Sequence, residues 1–85
     1  DIVQIKALAQ AITNMSTNLT GTPYDTQMIM WQITDNGTAR SIAWGASFAS
    51  TSGAALPTTT AVSTMLRVIT QYNSVTGKHE CVYVD

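Results

Sequence analysis

Residues 28–34 read Met-Ile-Met-Trp-Gln-Ile-Thr, with apolar bulk placed at every second position. Ile29, Trp31 and Ile33 fall on one face, and Met28, Met30, Gln32 and Thr34 on the other. Period-two alternation of this kind marks a half-buried strand. Asp35-Asn36-Gly37-Thr38 follows at once. Asn-Gly is the strongest short hairpin signal, because both residues tolerate the positive φ that a tight turn demands. The stretch from Ala39 to Gly45 then alternates again, with Arg40, Ile42 and Trp44 on one side. The sequence therefore predicts a hairpin over 28–45. Asp35, Asn36 and Gly37 form its turn, and Arg40 and Trp44 lie on its return strand.

A second alternating pair lies at the carboxyl end. Leu66, Val68, Thr70 and Tyr72 oppose Met65, Arg67, Ile69 and Gln71. After the turn Asn-Ser-Val-Thr-Gly-Lys, His79, Cys81 and Tyr83 oppose Glu80, Val82 and Val84. The expected hairpin spans 64–85. Between the two, residues 46–61 are small and polar, with Gly53 and Pro57. They read as a loop holding a short edge segment near Phe48 or Leu56, since proline is kept out of central ladders. In residues 2–13, Ile2, Ile5, Ala9 and Ile12 have near-helical spacing, while Val3, Ile5, Ala7, Ala9 and Ala11 have strand spacing. Periodicity leaves both open there. Thr, Val, Ile and aromatic residues outnumber Leu, Glu and Lys, which favours strands. The fold class is all-β: a small antiparallel β-sandwich or open barrel built from hairpins.

At 85 residues the chain is one domain, spanning 1–85. It opens on Asp1 and reads as a processed product or a piece of a longer protein. A core this small is marginal, and such domains gain stability from disulfides, metals or oligomerisation. Cys81 is the only cysteine and His79 the only histidine, which leaves oligomerisation as the expected device. Charged residues are 11% of the chain and the net charge is −1, against roughly 25% charged residues in typical soluble domains. Lys6, Arg40, Arg67 and Lys78 are scattered, so the basic field a nucleic-acid binder needs is not expected. Ser and Thr fill 21 positions. Such a surface suits a neutral assembly or a sugar-facing module. No run approaches the length of a transmembrane helix, so no membrane insertion is expected.

Signs of catalysis are scarce. The chain has no phosphate loop, nucleophile elbow or paired-histidine motif. Asp25, Asp35 and Glu80 could pair as acid and base, but each sits at an expected turn or solvent face. His79 and Cys81 share a strand face, yet a zinc site needs three or four ligands. No catalytic residue, metal or cofactor is expected. Asn14, Asn18 and Asn36 begin Asn-X-Ser/Thr triplets, which chance supplies in a chain this rich in Ser and Thr. Trp31 and Trp44 could form a sugar platform; Trp31, aligned with Ile29 and Ile33, reads better as core, whereas for Trp44, beside Arg40 and Ile42, spacing leaves both readings open. Arg40 stacked on a ring is a further option.

The order Gly21-Thr-Pro23, Met28 to Ile33, Asp35-Asn-Gly-Thr-Ala-Arg40, Ile42 to Trp44, Leu56-Pro-Thr-Thr-Thr60 and Met65 to Val84 resembles a module of tailed-phage and prophage virion proteins. The resemblance spans about residues 7–84. It implies an all-β, non-enzymatic domain on the particle exterior, at the end of a tail fibre or as a capsid decoration, and it turns residues 2–13 toward strand and Arg40 and Trp44 toward a scaffold role. Two positions depart from the pattern: Tyr24-Asp-Thr-Gln27 lacks a glycine before the glutamine, and His79 stands where tryptophan often follows the lysine. The implied partners are further copies of the chain, with a trimer favoured, and other virion proteins. A host surface glycan is the alternative partner. Met28, Met30, Met65 and Ile69 are the candidate interface, as apolar residues on the second face of their strands.

Overall fold

The computed structural model describes residues 2–19 and 21–85. The fold is all-β. Five strands form one sheet: β1 (Ile2–Leu8), β2 (Met28–Asp35), β3 (Phe48–Ala49), β4 (Leu66–Asn73) and β5 (Lys78–Val84), in the order β1-β2-β4-β5-β3. The sheet is mixed rather than purely antiparallel. β2–β4 and β4–β5 pair antiparallel, whereas β1 on β2 and β3 on β5 are parallel.

The carboxyl-terminal hairpin is β4–β5, with Asn73 opposite Lys78. Residues 2–8 form a strand, and Phe48 lies in the short edge strand β3. The hairpin over 28–45 does not form. β1 takes one edge of β2 and β4 takes the other, so no edge is left for residues 39–45. The turn at Asn36-Gly37, with Gly37 at φ 100°, instead leads the chain out of the sheet and across its buried face. There Ile12 bridges Ile42 in parallel and Ser41 bridges Thr59 antiparallel. Backbone bonds extend this second layer: Ala43 N donates to Ile12 O (2.8 Å), Met15 N to Ala43 O (2.8 Å), Ser16 N to Trp44 O (2.9 Å) and Ile42 N to Thr58 O (2.8 Å).

The core lies between the sheet and this layer. Ile29, Trp31, Ile33, Leu66, Val68 and Cys81 come from the sheet; Met15, Ile42 and Trp44 come from the cover, and Phe48 from the edge strand. Trp31, Trp44 and Phe48 meet edge to face, with centroids 5.1–5.7 Å apart, an arrangement that aligns positive ring edges with negative faces. Trp31 Nε1 donates to Thr70 Oγ1 (3.1 Å) and Trp44 Nε1 to Pro57 O (2.8 Å), so neither buried indole wastes its donor.

Strand β5 departs from simple alternation. Thr70 pairs with Cys81 but Ile69 pairs with Tyr83, so the register slips at Val82. The bulge turns Tyr83 outward, leaving it 48% exposed, and brings Val84 opposite Val68 against the core. The expected grouping of Tyr83 with His79 and Cys81 therefore fails after Cys81, because an extra residue reverses which face the following side chains take.

Candidate functional sites

The residues singled out in the sequence separate into a structural knot and an outer surface. Asp35 ends β2 and is buried. Its Oδ1 accepts from Gly37 N (2.9 Å) and Ser63 N (3.0 Å), and its Oδ2 from Thr60 Oγ1 (2.7 Å). The Ser63 amide, the Thr60 hydroxyl and the Gly37 amide, aided by the nearby Arg40 charge, hold this carboxyl below its ordinary range despite its burial. Thr60 is itself buried. It receives Arg40 N on its hydroxyl (2.9 Å) and donates its own N–H to Arg40 O (2.9 Å). The Asp-Asn-Gly-Thr-Ala-Arg and Leu-Pro-Thr-Thr-Thr blocks thus bond to each other, through Asp35 and Arg40 on one side and Thr60 on the other, and Ile42, two residues past the first block, adds a bond to Thr58. Their reach across the chain was invisible as local pattern.

Arg40 works mainly through its backbone. Its guanidinium Nη2 donates to Asn36 Oδ1 at the surface (2.9 Å), and its Nε is buried without a partner. Trp44 is 5% exposed, so the indole is core and offers no platform to solvent.

The three carboxylates considered for acid–base work brace turns: Asp35 the turn after β2, and Asp25 and Glu80 both the turn between β4 and β5. Asp25 Oδ1 accepts from Ser74 N (3.0 Å), a bond that leads the lowering of its pKa. Glu80 Oε1 accepts from Asn73 Nδ2 (3.2 Å). His79 and Cys81 are both buried on the core side, and burial lowers the imidazole pKa and raises the thiol's. Among the described residues no three His, Cys, Asp or Glu side chains gather as metal ligands. Asn14 Oδ1 accepts from Ser16 N (3.1 Å) as the cap of the short 3-10 turn Met15–Asn18. The triplet begun by Asn18 ends on Thr20, outside the described residues.

The outer face of the sheet carries the candidate interface. Met28 and Met65 are exposed, and Met30 and Ile69 half-buried, on the side away from the core. Pairing extends the set beyond the four methionine and isoleucine positions. Ile2 lies opposite Met30, Met30 opposite Ile69, and Ile69 opposite Tyr83. Directly paired residues share a face, so one apolar row crosses four adjacent strands. Ile2 (66% exposed) and Tyr83 (48%) are its open ends. The next row is Gln4, Gln32 and Arg67, with Gln4 Nε2 donating to Gln32 Oε1 (2.9 Å). Tyr83 and Ile2 joined the row only through the bulge and the parallel register, neither of which alternation alone reveals.

No protein-family model, curated protein or solved structure matches the chain.

Proposed function

We propose that the chain is a non-enzymatic structural module of a tailed-phage particle, on the exterior as tail fibre or capsid decoration, that assembles as a homo-oligomer, a trimer, through the outer face of its sheet. The row Ile2, Met30, Ile69 and Tyr83 is the observation that carries this reading. A small domain places one sheet face on its core and ordinarily solvates the other with polar side chains. Here the solvated face is crossed by an apolar row, bordered by Gln4, Gln32 and the ion-paired Arg67, an apolar patch with a polar rim of the kind expected where surface is covered by another molecule. Edge-to-edge growth suits the fold less well. β1 is interrupted between Ile5 and Leu8, carries Lys6 and holds Ala7 at φ 51°, while β3 is two residues long; breaks, lysines and short edges of this kind protect against strand addition. The face is therefore the interface, and the phage setting comes from the resemblance of the two bonded sequence blocks.

Chemical cross-linking of intact phage particles, purified from cells that express this chain along with the other virion proteins, tests the assignment. Cross-links from the chain to its own copies and to other virion proteins are expected. Absence of the chain from purified particles overturns the reading.

A further inference from the structure

Asn36 and Gly37 are exposed at the turn after β2, and their neighbours hold both reacting groups of an intramolecular acyl transfer. The backbone nitrogen after an asparagine can reach the side-chain amide carbon by closing a small ring, and a following glycine has no Cβ to block the approach. Of the four asparagines, Asn14, Asn18, Asn36 and Asn73, only Asn36 precedes glycine. Its Oδ1 accepts from Arg40 Nη2 (2.9 Å). The Gly37 N–H donates to Asp35 Oδ1 (2.9 Å). Asn36 Nδ2 makes no hydrogen bond among the described residues.

Each contact acts on a different bond. The guanidinium polarises the side-chain carbonyl and faces the negative charge that develops on Oδ1 once a nitrogen adds, as an oxyanion donor does. The Asp35 carboxylate takes the Gly37 proton, which becomes acidic as that nitrogen bonds to carbon. The unbonded Nδ2 is free to leave. Asn73 supplies the contrast. The Ser74 N–H is also held by a carboxylate, Asp25 Oδ1 (3.0 Å). But Asn73 Oδ1 accepts only the neutral Val75 N–H (2.9 Å), its Nδ2 is tied to Glu80 Oε1 (3.2 Å), and Ser74 carries a Cβ.

We infer that Asn36 is a self-modification site, where the Gly37 nitrogen displaces the side-chain amide with help from Arg40 and Asp35, and water opens the resulting imide. The Gly37 N–Cγ bond forms as its proton passes to Asp35. The Cγ–Nδ2 bond then breaks, Nδ2 takes a proton from water and departs as ammonia, and Asp35 returns its own proton to water. Water next adds to one imide carbonyl. Addition at Cγ leaves an aspartate at position 36; addition at the backbone carbonyl leaves an isoaspartate, with Gly37 joined through the side chain. The isoaspartate lengthens the chain by a methylene between two fixed points. Asp35 is held by Thr60 and Ser63, and Arg40 is bonded to Thr60 through both its N and its O. That product slackens the knot, whereas the aspartate sets its new carboxylate beside the Arg40 guanidinium.

Tandem mass spectrometry of proteolytic fragments tests this on the full chain, kept folded at neutral pH and sampled over time, with released ammonia measured in step. Amide-to-carboxyl conversion is expected at Asn36 and not at Asn73. It should run several-fold faster in the folded chain than in the chain unfolded in urea at the same pH. Arg40→Gln, which keeps the backbone bonds to Thr60, should slow conversion several-fold in the folded chain and leave the rate in urea unchanged. The isoaspartate form, separated by chromatography, should melt below the parent chain. A folded wild type that converts no faster than the unfolded one overturns the inference. So does a folded Arg40→Gln variant that keeps the wild-type rate. The wild-type comparison decides the matter even where the variant does not fold.

Discussion

Replacing Thr70 by Val probes the bond that ties the aromatic core to the centre of the sheet. Thr70 is fully buried and Trp31 2% exposed, and the threonine hydroxyl is the acceptor for Trp31 Nε1 at 3.1 Å. Valine matches threonine in shape, so Thr70→Val removes the acceptor without opening a void. The indole N–H is then stranded in the core. A buried donor left without a partner costs about 1–3 kcal/mol. In a domain of this length each kcal/mol moves the midpoint by about 4–8 °C, so a fall of roughly 5–20 °C is expected. Thermal unfolding followed by circular dichroism and tryptophan fluorescence reads this directly. The control is Trp31→Phe, which deletes the donor. In that background Thr70→Val strands nothing and should be close to neutral, giving a coupling of about 1–3 kcal/mol from the double-mutant cycle. An equal effect of Thr70→Val in both backgrounds would refute the role assigned to the bond.

Three further outcomes follow from other contacts. Gly45→Ala should lower the unfolding free energy by more than about 2 kcal/mol, because alanine at its φ of 89° is strained and the new Cβ would collide with Asn14 Oδ1 and lie 2.5 Å from Ser16 Oγ. Asp35 has a folded pKa below its ordinary value; its contribution is complete above the unfolded carboxylate pKa and is lost as pH falls through the folded one. Asp35→Asn should therefore lower the melting midpoint at neutral pH and flatten its acid decline below about pH 4 in melts across pH. His79 also has a lowered folded pKa, and because burial disfavours its cation, stability should fall as pH drops below the unfolded value of about 6.5. His79→Phe should remove that shoulder from the same series of melts.

The strands were legible wherever one face was buried and the other was not. Residues 28–34 and 66–72 alternate because the core takes every second side chain, and the turn between β4 and β5 lies where its Gly77 allows. The partner of residues 39–45 was not legible. Their alternation is real, since Ile42 and Trp44 are buried, but it reflects packing on the sheet's face instead of pairing along its edge. Asn-Gly specifies a change of direction, and both turns and exits from a sheet need one. What decided between them was the parallel docking of Ile2–Leu8 on β2, a contact more than twenty residues distant in sequence that no local signal encodes. The same holds at the site. Met30 and Ile69 stood out by position, whereas Ile2 and Tyr83 entered through long-range register and a bulge.

The central claim is that the apolar row holds copies of the chain together. Sedimentation equilibrium at low micromolar concentration tests it most directly, on the wild type and on Ile69→Lys, which sets a charge between Met30 and Tyr83. The wild type should sediment as a trimer of the 9.1 kDa chain, and the folded variant as a monomer. A monomeric wild type, or a folded Ile69→Lys that keeps the wild-type mass, would contradict the account.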